Sequence, residues 1–208
     1  MLHNLYFLYL WLYNEYMLRN TLTTYLIVGL GNPDKQYLDT FHNVGYMCVD
    51  TIANKLGVKF IKGECRAITA TYKTASYRLI LAKPITYMNL SGESVRELVH
   101  KYKIEQSKCI IIYDDVDIPL GAVRIRSKGS AGTHNGMRNI VAIINTEDIY
   151  RIRIGIGQPH TEQLYDYVLS HIVDKDRQAL SQVFDRASDA CIDFVNGATL
   201  DNVMQKYN

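Results

Sequence analysis

Residues 109–117 read Cys109-Ile110-Ile111-Ile112-Tyr113-Asp114-Asp115-Val116-Asp117. A continuous apolar run of this length is what a strand buried on both faces requires. It passes directly into carboxylates, as at the carboxyl end of a strand in an open α/β sheet, where such sheets take their ligands. Tyr25–Leu30 (YLIVGL) is a second run of the same kind and leads into Gly31-Asn32-Pro33. Between and beyond these two strands, strand and helix patterns alternate.

Val44, Cys48, Val49, Ile52 and Leu56 recur at helical spacing, predicting a helix over 42–56 that stops at Gly57. Residues 67–83 alternate as two strands turning near 74–76. Ser91–Tyr102 reads as a helix with Ser91 as N-cap and Val95, Leu98, Val99 and Tyr102 on one face. A strand over 122–127, a Gly-rich loop over 128–136, a helix over 136–145 and a strand over Tyr150–Ile156 follow. Helices over 162–171 and 175–196, with a short one near the end, complete the chain. The pattern predicts an α/β fold: one domain over 24–208, with a mixed, mostly parallel sheet flanked by helices on both faces.

Nearly half of the 208 residues are apolar (48%) and 21% are charged, an ordinary globular composition that excludes disordered and collagen-like classes. The net charge of +2 conceals a gradient, since residues 1–159 carry 19 Lys/Arg against 13 Asp/Glu and residues 160–208 carry 4 against 8. Arg124, Arg126, Lys128, Arg138, Arg151 and Arg153 face only Glu147 and Asp148 in their stretch, enough to hold phosphates unless the residues are merely a solvated surface. Cys48, Cys65, Cys109 and Cys191 contain no CxxC pair, which argues against a zinc knuckle or redox motif and for buried thiols in a reducing cytosol.

Residues 1–23 form an atypical extension. The apolar run Leu5–Tyr13 is far shorter than the roughly 20 residues that span a bilayer, and a basic start and small-residue cleavage site are both missing. The segment reads as an extension upstream of a start at Met17, in preference to a membrane-surface segment or an appendage.

Five segments carry chemistry. GxG after a buried strand invites a dinucleotide reading, but Asp34 stands where the third glycine is needed and opposes a pyrophosphate. The glycines then serve a sharp turn that presents Asn32, whose amide both donates and accepts. His42, in Phe41-His42-Asn43-Val44-Gly45, lies beside a helix start, whose dipole favours the neutral imidazole that a general base needs. Tyr87-Met88-Asn89 sets an aromatic ring, a thioether and an amide side by side, suited to an adenine or a peptide backbone. Asp114, Asp115 and Asp117 offer carboxylates for Mg²⁺, without a phosphate loop to accompany it, or one carboxylate to orient a histidine. Residues 128–136 (KGSAGTHNG) allow close backbone approach ahead of a helix start and suit a nucleic-acid backbone.

Taken in order, VGLGNP, FHNVG, TYMNLSG, DDVDIPLG, AGTHNG and RIRIGIGQP resemble the motif series of bacterial peptidyl-tRNA hydrolases over roughly residues 24–206. The resemblance implies a monomeric, cytoplasmic ester hydrolase that needs no metal or other cofactor and no membrane. It would free tRNA from peptidyl-tRNA shed by stalled ribosomes; the alternative is a non-catalytic RNA-binding relative of the same fold. It further implies that His42 activates water, that Asp114 supports it, and that Asn32 distinguishes a blocked amino group from a free one. Tyr37, Tyr87, Asn89 and Asn135 fall on positions that contact the tRNA end or the peptide, Met88 and His134 line the same cleft, and Arg153, with Lys103 and Arg138, meets phosphates. The family carries glycine where this chain has Thr133, and a positive φ there would strain a β-branched residue.

Overall fold

The computed structural model describes residues 22–159 and 163–208. The extension expected over 1–23 lies, apart from Leu22 and Thr23, outside the described residues. Seven strands form one sheet: β1 (Thr23–Gly29), β2 (Lys62–Glu64), β3 (Ala67–Lys73), β4 (Tyr77–Pro84), β5 (Cys109–Asp115), β6 (Val123–Arg126) and β7 (Tyr150–Gly155), in the order β2-β3-β4-β1-β5-β7-β6. The pairs β1–β4, β1–β5 and β5–β7 are parallel, and β2–β3, β3–β4 and β6–β7 are antiparallel. The sheet is thus mixed, with only β3 and β6 running against the rest. Strand β2 (Lys-Gly-Glu) was invisible to a hydropathy pattern because it lies on an edge with little apolar surface to bury.

The helices are α1 (Val44–Leu56), α2 (Ser91–Tyr102), α3 (Asn135–Ile144), α4 (Leu164–Leu169), α5 (Asp174–Val195) and α6 (Leu200–Tyr207). Period-two alternation along the central strands feeds two cores. Ile27, Ile110, Ile112, Ile152 and Ile154 pack with Val49, Ile52, Leu180 and Val203 on the face of α1, α5 and α6. Leu26, Val28, Ile111 and Tyr113 pack with Val95, Leu98, Met137 and Ile140 on the face of α2 and α3. Each fully buried aliphatic side chain of this kind contributes about 1.5–3 kcal/mol of transfer free energy. No helix among the described residues is long and apolar enough to cross a membrane.

Alternation in β6 and β7 sends Val123, Ile125, Ile152 and Ile154 to the first core, so Arg124, Arg126, Arg151 and Arg153 share the other face. Their register sets Arg124 against Arg153 and Arg126 against Arg151. Like charges directly opposite one another are unfavourable in a ladder, a cost offset here by the carbonyls that receive Arg151 and the Asp115 carboxylate that pairs with Arg153.

One local expectation is corrected. Ser91 is not the N-cap of α2: a 3-10 turn over Met88–Leu90 runs straight into the helix, and the Ser91 hydroxyl donates to the Met88 carbonyl at 2.8 Å. Gly29 and Gly31 lie outside the positive-φ glycines, and neighbours press on both. A Cβ on Gly29 would stand 2.1 Å from the Gly45 carbonyl oxygen, and one on Gly31 would stand 2.7 Å from the Tyr46 ring.

Candidate active site

That close approach of Gly29 to Gly45 draws the start of α1 onto the carboxyl ends of β1 and β5. The 3-10 turn Phe41–Asn43 therefore sits over the last residues of β5. His42 Nδ1 lies 3.0 Å from each carboxylate oxygen of Asp114, and His134 Nε2 lies 3.0 Å from Asp114 Oδ1. His134, the N-cap of α3, accepts the Met137 N–H on Nδ1 at 3.2 Å. The proton of its neutral ring then belongs on Nε2, pointing at Asp114. Asp114 thus receives two N–H groups, and His42 carries its proton on Nδ1 with the Nε2 lone pair on the far side of the ring.

The electrostatics follow from burial and charge. Burial opposes the ionised form of Asp114, but the two histidines outweigh it and hold the carboxyl well below its usual range. Burial likewise opposes charge on His42, and the Asp114 charge and hydrogen bond override it, so the His42 pKa is raised. The helix-start dipole expected to favour the neutral ring is outweighed by a carboxylate at contact distance. The Asp114 carboxyl is thus held ionised while the His42 ring is held toward its charged form.

Asn32 is buried and locked by its neighbours. The Asn43 side chain accepts the Asn32 N–H at 2.8 Å and donates to the Asn32 carbonyl at 3.0 Å, while Asn32 Oδ1 accepts the Met88 N–H at 2.9 Å. With its oxygen engaged, the Asn32 NH₂ is the end left to face the cleft. Met88 is buried, and a Cβ on Gly136 would stand 2.6 Å from its sulfur, so a larger residue there would have to displace the Met88 side chain. Tyr87 adopts φ 59 and ψ 162, a region that essentially only glycine enters without strain.

His42, Asp114 and Asn32 line one cleft of about 770 Å³ together with Tyr37, Tyr87, Met88, Asn89, His134, Asn135 and Arg153. The Asn89 and Asn135 side chains are exposed on its wall. Lys103 does not join them; it borders a separate groove with Lys73 and Arg78. The basic cluster also divides. Arg151 is 1% exposed and donates to the carbonyls of Ile149, Ser130 and Glu147, so it anchors the Gly-rich loop and is closed to phosphate. Arg153 pairs with Asp115 at 2.5 Å, and Arg126 and Lys128 stand exposed at the cleft edge. Among the three carboxylates of the β5 end, only Asp114 meets the histidines; Asp115 serves Arg153 and the Asp117 N–H, and Asp117 is exposed. Thr133 raises no strain, because the positive φ of this loop falls on Gly129 and Gly132.

Asn43 was passed over although it stands beside His42 in the sequence; a second amide next to a candidate base was the available signal. The apolar wall supplied by Leu164, Tyr165, Val168 and Leu169 of α4 was also missed, having no motif of its own. His42, Asp114 and His134 have the composition of a metal-ligand set, with one ligand atom from each within 4.8 Å of the others. Both imidazole nitrogens facing Asp114 carry protons in the arrangement described, so a cation there would first have to displace them.

Comparison with known proteins places the chain in a family. A family model described as "Peptidyl-tRNA hydrolase" matches residues 26–208. A peptidyl-tRNA hydrolase of Clostridium novyi is 44% identical over 184 residues, covering 88% of this chain and 97% of the relative. One from Caldanaerobacter subterraneus is 40% identical over 184 residues, covering 88% and 99%. The crystal structure of peptidyl-tRNA hydrolase from Acinetobacter baumannii superposes with a TM-score of 0.82 at 31% identity, covering 89% of this chain and 95% of that one.

Proposed function

From the chain's membership of the peptidyl-tRNA hydrolase family, whose activity releases tRNA from peptidyl-tRNA, we propose that His42 is the general base of that hydrolysis and Asp114 its orienting partner. The observation that carries this reading is the shared carboxylate. Because His134 is fixed as a donor by Met137 and His42 donates to the same Asp114, the one free basic nitrogen of the pair is His42 Nε2.

His42 Nε2 takes a proton from water as the water oxygen attacks the carbonyl carbon of the ester between the peptide and the terminal ribose. The carbonyl oxygen becomes an oxyanion, steadied by the Asn89 NH₂. The bond to the ribose oxygen then breaks, and the imidazolium, held by Asp114, returns its proton to that oxygen. The Asn32 NH₂ donates to the carbonyl of an N-acylated substrate; a free ammonium group, which can only donate, finds no acceptor there. Tyr37, Tyr87 and Asn135 contact the acceptor end or peptide, Met88 and His134 shape the wall beneath, and Arg153, Arg126 and Lys128 meet phosphates. The reaction draws on no metal, and the chain acts as a monomer in the cytoplasm on peptidyl-tRNA shed by stalled ribosomes.

The test is release of tRNA from N-acetylated aminoacyl-tRNA, with and without EDTA. A general base supplies about 10²–10⁴-fold, so His42→Ala loses at least about a hundredfold in kcat while tRNA affinity is retained. EDTA leaves the wild-type rate unchanged. Wild-type turnover by His42→Ala refutes the assignment, inhibition by EDTA refutes metal independence, and tRNA binding without any cleavage by the wild-type chain makes it an RNA-binding relative only.

A further inference from the structure

β1 and β4 lie side by side and parallel, and each passes into a loop that bears one of the cleft amides, Asn32 after β1 and Asn89 after β4. Two hydrogen bonds join these loops. One is internal, from the Met88 N–H to Asn32 Oδ1 at 2.9 Å. The other crosses the rim, from the Tyr87 hydroxyl to Asp34 Oδ2 at 2.8 Å. Between their attachment points stands the Tyr87 backbone at φ 59 and ψ 162. A side chain in that conformation persists only where its surroundings over-determine it. Burial does not supply the restraint, since Tyr87 is 49% exposed. Its carbonyl accepts the Leu90 N–H at 3.1 Å, and what grips its side chain is the Asp34 carboxylate, whose charge strengthens the bond.

We infer that Asp34 is a positioning residue for the hydrolysis: by holding the Tyr87 hydroxyl it keeps the backbone of Tyr87 strained, and so presets the Met88 N–H and the Asn89 amide. Relaxation at Tyr87 rotates the peptide plane that it shares with Met88. The Met88 N–H then leaves Asn32 Oδ1, the Asn32 amide is free to turn, and its NH₂ no longer faces the cleft by default. Asn89 is carried off with the same segment. Asp34 thus governs both the rate and the preference for blocked over unblocked aminoacyl-tRNA, a claim that rests on the roles proposed above for Asn32 and Asn89.

The experiment measures kcat and KM on N-acetylated and unblocked aminoacyl-tRNA for Asp34→Ala, Asp34→Asn, Tyr87→Phe and the Asp34→Ala/Tyr87→Phe double variant, with thermal midpoints alongside. Loss of a charge-assisted hydrogen bond predicts a fall of about tenfold in kcat for Asp34→Ala and for Tyr87→Phe, with a smaller ratio between the two substrates. The double variant is no slower than either single one, because both remove the same bond. Asp34→Asn, which keeps an acceptor oxygen, recovers most of the rate. The inference is overturned by wild-type kcat in Asp34→Ala, by losses that multiply in the double variant, or by Asp34→Asn being as slow as Asp34→Ala. Failure here leaves the proposed function standing if His42→Ala is slow, whereas a fast His42→Ala protein removes the function first.

Discussion

Replacing Asp114 with asparagine changes one oxygen into NH₂ and nothing in shape. In the native cleft Oδ1 receives both His42 and His134, and Oδ2 receives His42 alone. His134 cannot yield, because the Met137 N–H occupies its other nitrogen, so the asparagine oxygen turns to His134 and the NH₂ faces His42 Nδ1. His42 must then accept on Nδ1 and carry its proton on Nε2, the nitrogen that should receive one from water. A charge-assisted bond of this kind contributes about 1.5–3 kcal/mol, or about 10- to 150-fold. The imidazolium formed during the reaction also loses its counter-charge, an attraction of about 4 kcal/mol at 4 Å and an effective dielectric constant near 20. The two losses overlap, and we expect kcat to fall about 10²-fold. The pH–rate profile carries the second half of the test. Asp114 raises the His42 pKa, and only the neutral ring can act as base, so activity rises with pH through that raised value. In the Asp114→Asn protein the rising limb moves to lower pH. A kcat within threefold of wild type, or a limb that stays in place, refutes the coupling of Asp114 to His42.

Asn43→Ala removes both bonds that fix the Asn32 backbone, and it should lower stability by about 1–3 kcal/mol in urea titration and reduce the preference for blocked substrates; unchanged selectivity would show that Asn32 holds itself. Arg151→Met removes the guanidinium from the Ile149 and Ser130 carbonyls, and from a Glu147 carbonyl that keeps the Gly129 and Ile149 N–H groups; it should cost at least about 2 kcal/mol of stability, while the salt dependence of tRNA binding stays as in wild type. Lys128→Ala should do the reverse, sparing stability and reducing the slope of log K against log salt by about 1; a steeper or equal slope would place the phosphates elsewhere.

The sheet was legible because its central strands are apolar on both sides. Cys109–Tyr113 and Tyr25–Leu30 could be little else, and their order along the chain gave the α/β class. The short β2 was not legible, since an edge strand of Lys-Gly-Glu buries too little to leave a pattern. Within the site, His42, Asn32 and Asp114 stood in recognisable motifs, and the structure brings them to one cleft. Their detailed chemistry was hidden, because hydrogen-bond partners are properties of the fold. Apart from the family resemblance, no local pattern separates Asp114 from Asp115; strand register gives one to the histidines and the other to Arg153. Arg151 looked like its neighbours Arg124 and Arg153 as a phosphate ligand. It is buried because the Gly-rich loop folds over it, a contact that no local pattern records. The close packing that Gly29 and Gly31 permit left no local signal either, since their contacts come from Gly45 and Tyr46 across the fold.

The sharing of Asp114 between two rings bears on why one carboxylate suffices. With His134 sharing the carboxylate, the Asp114 charge and hydrogen bond still raise the His42 pKa. His134, donating to the same oxygen, takes part of that hydrogen-bonding capacity without adding a second base, because its Nδ1 is spent on the Met137 N–H. It also helps keep Asp114 ionised against the cost of burial, so the charge is already in place when the imidazolium forms. The arrangement therefore meets two demands of the proposed mechanism, a counter-charge held ionised beside His42 and a carboxylate oriented by a second donor. Both are met because the start of α3, capped by His134, and the start of α1, drawn in by Gly45, meet over the same end of β5.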